Sequence, residues 1–264
     1  MRRIELIGAS GVGKTTLYKK LRRVTGANRM YLTLKDAYKA AALNCKIPLG
    51  EVKLLFYQQL LRTGMVKSKE RGLGKVILME HLKGKSDQRS KYNSFRVSFD
   101  ILYHYLKNEA SPFLVEKMLK TFLKAVDDYL LLEHGLPGND IVMVDEGIIH
   151  SHIGITEYGF QEYNYQQLKM DPAFSPDGII HCSNTEEVVF KQALKRKQEG
   201  IKTFGHGHLN RVELREAIQR SLLKNRKKAE GFMELGIPVL KINTGEKFEV
   251  ISNKINKFSS CLSN

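Results

Sequence analysis

Residues Gly8-Ala9-Ser10-Gly11-Val12-Gly13-Lys14-Thr15 satisfy the pattern G-x-x-x-x-G-K-[ST], and nothing else in the 264-residue chain constrains its fold as strongly. The flanks fit the pattern's physical demands. Arg3 to Ile7 alternates and is rich in β-formers, which predicts a strand, and Leu17, Leu21 and Val24 set a helical stripe beyond the loop. Strand, glycine loop and helix together form a phosphate cradle. Gly8 and Gly13 permit backbone angles that turn successive N–H groups inward, and the helix N-terminus adds partial positive charge. Ser10, Val12 and Thr16 complete the loop. Lys14 is placed to reach β- and γ-phosphates, and the Thr15 hydroxyl to ligate Mg²⁺. The pattern predicts a nucleoside triphosphate, ATP, with Mg²⁺.

Further strands are expected at Asn28 to Leu34, Ile141 to Val144, Gly178 to Cys182 and Pro238 to Ile242, alternating with helical patterns. That alternation implies an α/β fold with a parallel sheet flanked by helices, in a single domain over residues 1–264. Strands two and three are separated by a long helical insertion, about 36–136, expected to cap the carboxyl edge of the sheet. Within it, Glu51 to Leu61 reads as a helix. Ser111-Pro112 opens another, in which Leu114, Met118, Phe122 and Val126 recur until Gly135. Lys67 to Lys91 is basic and punctuated by glycine, which predicts a loop.

Asp145-Glu146-Gly147 closes the third strand directly after four apolar residues. An acid at the end of a buried strand beside a phosphate loop can hold Mg²⁺, and a second can deprotonate an acceptor hydroxyl. Asp145 is assigned the metal together with Thr15, and Glu146 the base, the reverse remaining open. After the fourth strand, Ser183 and Asn184 each precede a Glu by three residues, as helix caps do. That helix carries Lys195-Arg196-Lys197 before Gly200. A glycine- and histidine-bearing segment follows, and then a second helix with Arg211 and Arg215.

This order resembles the thymidylate kinase and deoxynucleoside kinase group of P-loop kinases, within the P-loop NTPase superfamily. The specific match is Gly8 to Thr15. The resemblance implies a lid at about 195–211 whose arginines, Arg196 first and then Arg211 and Arg215, reach the transferred phosphoryl group. It also implies that the loop at Asn243-Thr244-Gly245 holds the adenine. The chain departs from that group where an arginine usually follows the strand-end acid, since here Asp145-Glu146-Gly147 stands.

A net charge of +15 favours an anionic partner. Neither basic block interleaves aromatics with its charges, so a small hydroxyl or phosphate acceptor is preferred to a nucleic-acid strand. A nucleic-acid end kinase and a P-loop ATPase are the alternatives. His150-x-His152 and His206-x-His208 lack the further ligands of a zinc site. Tyr158, Phe160, Tyr163 and Tyr165 read as core or rim as readily as a stacking pocket. Three scattered cysteines and the lack of a long apolar run predict a cytoplasmic protein without a membrane span.

Overall fold

The computed structural model describes residues 1–24, 30–63, 65, 69–82, 93–107, 112–145, 147–151, 165–200 and 209–263. The described chain is α/β. Strand β1 (Arg2–Ile7) leads through the glycine loop into helix α1 (Lys14–Leu21), which stops short of Val24. Strand β2 (Leu32–Thr33) is brief and runs straight into α2 (Leu34–Asn44); residues 25–29, where the second strand was expected to begin, lie outside the described residues. Helices α3 (Val52–Thr63), α4 (Glu70–Leu82), α5 (Arg96–Leu106) and α6 (Pro112–Gly135) make up the insertion. Then come β3 (Ile141–Val144), the short α7 (Ile148–Ser151) and α8 (Tyr165–Met170). The chain finishes with β4 (Gly178–Ser183), α9 (Glu186–Gln198), α10 (Arg211–Glu234), β5 (Val239–Asn243) and α11 (Phe248–Ser263).

The five strands form one all-parallel sheet in the order β2-β3-β1-β4-β5. From β1 the chain moves outward to β2, returns through β3, and crosses to the other side of β1 for β4. The carboxyl end of β1 is therefore a topological switch point, where crossovers part and leave a crevice. The glycine loop sits there.

Side chains alternate across the sheet with the period-two rule of strands. Ile4, Leu6, Met143, Ile180 and Ile242 bury one face against α1, α9, α11 and the first half of α10. Ile7 and Ile179 on the other face pack with Phe122 and Val126 of α6 and Phe232 of α10. Val142 meets α2, α3 and α4 through Ala37, Ala41, Leu61 and Leu78. The insertion thus forms a covering layer of the sheet face, not only a cap on its carboxyl edge. A strand as apolar as β3 needs both faces shielded from water.

The basic stretch expected to be a loop is, over residues 70–82, helix α4. Two local facts explain this. Its glycine is a packing residue: a Cβ at Gly74 would lie 2.6 Å from the Tyr38 carbonyl oxygen, so only glycine lets α4 press against α2. Its cations are also neutralised by the fold. Arg71 and Lys75 each donate to the buried Asp128 carboxylate at 2.8 Å, and the Tyr38 hydroxyl donates to the same group at 2.5 Å. Burial alone would raise the Asp128 pKa, yet the Lys75 and Tyr38 hydrogen bonds hold it below the usual carboxylate range. Glu70 likewise takes Lys35 and Lys39.

Gly74→Ala is expected to keep the fold but lower its stability by about 1–3 kcal/mol, the scale of overpacking a tight contact. An unchanged urea midpoint would show that α2 and α4 are free to separate.

Candidate functional site

Three glycines of the loop adopt left-handed or mirror-region angles: Gly8 at φ 149°, Gly11 at φ 87° and Gly13 at φ 100°. At Gly8 the requirement is doubly strict, because a Cβ there would collide with the Cys182 carbonyl oxygen of β4. The loop closes on itself through the Val12 N–H, which donates to the Ala9 carbonyl at 3.3 Å. Lys14 is buried and folds back across the loop, its Nζ donating to the carbonyls of Gly8 at 2.6 Å and Ala9 at 3.3 Å. Ser10, Thr15 and Thr16 lie exposed at the mouth, whereas Val12 is buried as a wedge that anchors the turn. A cradle of main-chain donors with an ammonium inside it can hold phosphate oxygens.

The loop after β5 is fastened to this cradle. The Thr244 hydroxyl donates to the Val12 carbonyl at 2.5 Å and accepts from Asn184 Nδ2 at 3.0 Å, while the Thr244 N–H donates to Ser183. Gly245 N–H is held by Asn243 Oδ1 at 2.9 Å. The three residues singled out from the sequence thus lie beside the cradle. Thr244 borders a cavity of about 120 Å³ lined also by Thr16, Lys20 and Phe248, with the Lys20 ammonium 5.7 Å from the Phe248 ring centre. Asn184 is therefore not the cap of α9. Thr185 is, accepting from Val188 N–H, and Ser183 donates to Ile242. Ser183 and Asn184 are drawn away by β5 and the loop that follows it, which sequence spacing could not show.

Across the crevice, Asp145 follows β3. Its charge acts on the Tyr18 phenol and on the Cys182 thiol, and Lys14 acts on that same thiol, so acid and lysine flank one spot. Burial raises both groups to about 12. Tyr18 spans the crevice floor, donating to the Met143 carbonyl at 3.2 Å and accepting from Leu34 N–H at 2.9 Å. Glu146 lies outside the described residues. Gly147 is required by the fold, because a Cβ there would strike the Glu5 carboxylate. Residues that sequence reading left aside gather behind this segment. Glu5 accepts the N–H groups of Ile148 at 3.2 Å and Ile149 at 2.9 Å, and Lys228 donates to the Ile149 carbonyl at 3.0 Å. Desolvation raises the Glu5 carboxyl and lowers the Lys228 ammonium to about 8. An acid inside an apolar strand was the one available signal for Glu5; Lys228 is hidden among many surface lysines.

The proposed lid cations fare differently. Arg196 lies in the last turn of α9, half-buried. Arg211 opens α10 with its guanidinium 5.9 Å from the Phe190 ring centre. Arg215 is committed elsewhere, stacking on Phe190 at 4.6 Å and pairing with Glu186 and Glu187 at 3.1 and 3.0 Å. Residues 201–208 of the lid, including His206 and His208, lie outside the described residues, as do His152, Tyr158, Phe160 and Tyr163; of Tyr165 only the backbone is described. Among the described residues no helix is long and apolar enough to cross a membrane. The chain matches no family model and no curated protein.

His150 supplies a pH test of this arrangement. Burial, then the ammonium groups of Lys14 and Lys228, push its imidazole from 6.5 down to about 3. The unfolded chain therefore binds a proton first as pH falls, and the ring's contribution to stability, complete above 6.5, is lost progressively toward 3. His150→Gln should flatten the fall of Tm between pH 6.5 and 4 relative to the wild type. Parallel curves would mean the ring is solvated.

Proposed function

We propose that this chain is a kinase with a P-loop NTPase core, similar to the thymidylate kinase and deoxynucleoside kinase group, that transfers the γ-phosphoryl of ATP to a small acceptor bearing a hydroxyl or phosphate. One observation carries the reading: a loop of three positive-φ glycines with Lys14 folded inside it stands at the switch point of a parallel sheet, facing the acidic end of the neighbouring strand. Phosphoryl transfer asks little covalent chemistry of a protein, only positioning and charge neutralisation, and those are the assets assembled here.

In this reading Lys14 leaves the Gly8 and Ala9 carbonyls and moves onto the phosphates, while the loop N–H groups fix them. The donor set fits magnesium, since the exposed Thr15 hydroxyl and the Asp145 carboxylate are both hard oxygen ligands. Magnesium held there would neutralise charge shared between the β- and γ-phosphates. Asp145 holds the metal and Glu146 takes the acceptor proton. Asn243, Thr244 and Gly245, with Asn184 behind them, border the donor base. Arg196 swings from the end of α9, where Gly200 at φ 68° ends the helix, to meet the transferring group. Arg211 stands beside it, and Arg215 stays in its ion pairs. The acceptor site, walled by the helical insertion, must fill before the lid closes, because water would otherwise consume the nucleotide.

A panel of acceptors with γ-labelled ATP tests the proposal. Slow hydrolysis alone and a large rise in ATP consumption with one acceptor class are expected. Brisk hydrolysis without an acceptor would favour an ATPase, and a steep salt dependence of RNA or DNA binding a nucleic-acid end kinase.

Lys14→Ala should abolish transfer and weaken nucleotide binding while leaving the melt cooperative; near wild-type turnover would remove the loop from the site. Asp145→Asn should shift the magnesium titration upward. Glu146→Gln should lower the maximal rate at saturating metal by about 10²–10⁴-fold. Arg196→Ala should cost about a thousandfold in rate and little in ATP affinity, as loss of an arginine at the transferring phosphoryl does. Equal, small effects at both acids would dissolve this assignment.

A further inference from the structure

Two buried charged side chains grip the backbone of Ile149, on the two peptide groups that flank it, beside the acidic strand end. Glu5 Oε2 accepts the N–H of Ile149 at 2.9 Å, and Lys228 Nζ donates to the carbonyl of the same residue at 3.0 Å. Glu5 Oε1 also accepts the Ile148 N–H at 3.2 Å and faces Arg3 Nε at 3.1 Å. Glu5 is completely buried and Lys228 6% exposed. They come from distant parts of the fold, the middle of β1 and the last third of α10, and they meet on the α7 turn that follows Asp145, Glu146 and Gly147. Lys14, Lys224 and His150 are the other charged or titratable groups whose fields reach this spot.

The energetic oddity lies in the choice of residues. Methionine or leucine at 228 would fill the same space without the cost of desolvating an ammonium, and buried ionic groups often stabilise less than well-packed apolar ones. A buried carboxylate on β1 is equally costly unless its lone pairs are met. Here they are met by the two N–H groups at the start of α7, and Gly147 is the residue that lets the chain pass so close to the carboxylate. A charged acceptor on one peptide group and a charged donor on the next fix the orientation of the turn in a way that apolar contacts, which lack direction, do not.

We infer that Glu5 and Lys228 are positioning residues that clamp the backbone of Ile149, one on each of the two peptide groups that flank it, and so fix the α7 turn and with it the strand end where Asp145 serves the metal and phosphates. This rests on the kinase reading for what the strand end does, though not for the clamp itself.

The test uses the full chain with Lys228→Met, Glu5→Gln and the conservative Lys228→Arg. Three readouts are compared: thermal melting, amide exchange at Ile148, Ile149 and His150, and binding of ATPγS with and without magnesium. Lys228→Met and Glu5→Gln should melt cooperatively and bind magnesium-free ATPγS within threefold of the wild type. They should also exchange those three amides at least tenfold faster and lose at least tenfold of the affinity that magnesium adds. Lys228→Arg should restore most of both. Once an acceptor is found, kcat should fall while the KM for ATP stays, a split that general loosening of the fold would not produce. Exchange and magnesium dependence within twofold of the wild type in both variants would overturn the clamp. A variant that fails to melt cooperatively leaves the other, and Lys228→Arg, to decide. If the wild type gains nothing from magnesium or never uses an acceptor, the kinase reading fails, and the exchange rates alone still decide the clamp.

Discussion

The contact on which the rest of the site depends is the passage of the Gly8 backbone against the Cys182 carbonyl of β4. It is possible only without a Cβ and with a φ of 149°, and it forces the chain to turn at the end of β1 instead of continuing as a strand. The turn then repeats at Gly11 and Gly13, so the main-chain donors face inward and α1 begins with Lys14 already over the loop. Because β1 is the central strand, what packs on this turn comes from both sides of the sheet: Asn184 and Thr244 from the β4–β5 side, Tyr18 and Asp145 from the β3 side. The glycine loop is less a motif placed on a fold than the point at which the two halves of the sheet are joined.

Around that point the protein keeps polar groups where an apolar core would be more stable. Glu5, Lys228, Asp128 and Asp171 are all buried, and each is matched by backbone or side-chain partners. Asp171 caps the start of α5 by accepting from Ser98 N–H and Oγ, an architectural use. Asp128 gathers Arg71, Lys75 and Tyr38 and so pins α2 and α4 to α6. Glu5 and Lys228 differ from these because they hold a segment leaving the crevice. Directional, charge-assisted bonds are the means by which a short turn with few apolar side chains is kept in place.

The periodicity of the chain disclosed most of the elements. The alternation in β1, the apolar run of β3 and the four-residue repeat of α6 each reflect burial that any tertiary arrangement of these segments must satisfy, so they are legible locally. The errors have a common cause. Gly74 reads as a breaker because sequence shows a missing side chain but not the Tyr38 carbonyl that needs the space. Asn184 and Ser183 read as caps because their competing partners, Thr244 after β5 and Ile242 on it, lie about sixty residues away. Arg215 read as available because Glu186 and Glu187, nearly thirty positions earlier, approach it only once α9 and α10 pack together.

The sequence by itself determined the glycine loop, the α/β alternation and the acidic strand end. Each depends on residues adjacent in the chain, whose φ angles, hydrogen-bonding capacity and hydrophobic period are intrinsic. Tertiary structure alone decided the strand order, the spread of the insertion over the sheet face, the fastening of Thr244 to Val12, and the meeting of Glu5 with Lys228 on the backbone of Ile149. Those contacts join residues up to 232 positions apart. No local preference encodes such a pairing; it exists because burying the two faces of one parallel sheet leaves these side chains no other place to satisfy their charge and hydrogen bonds.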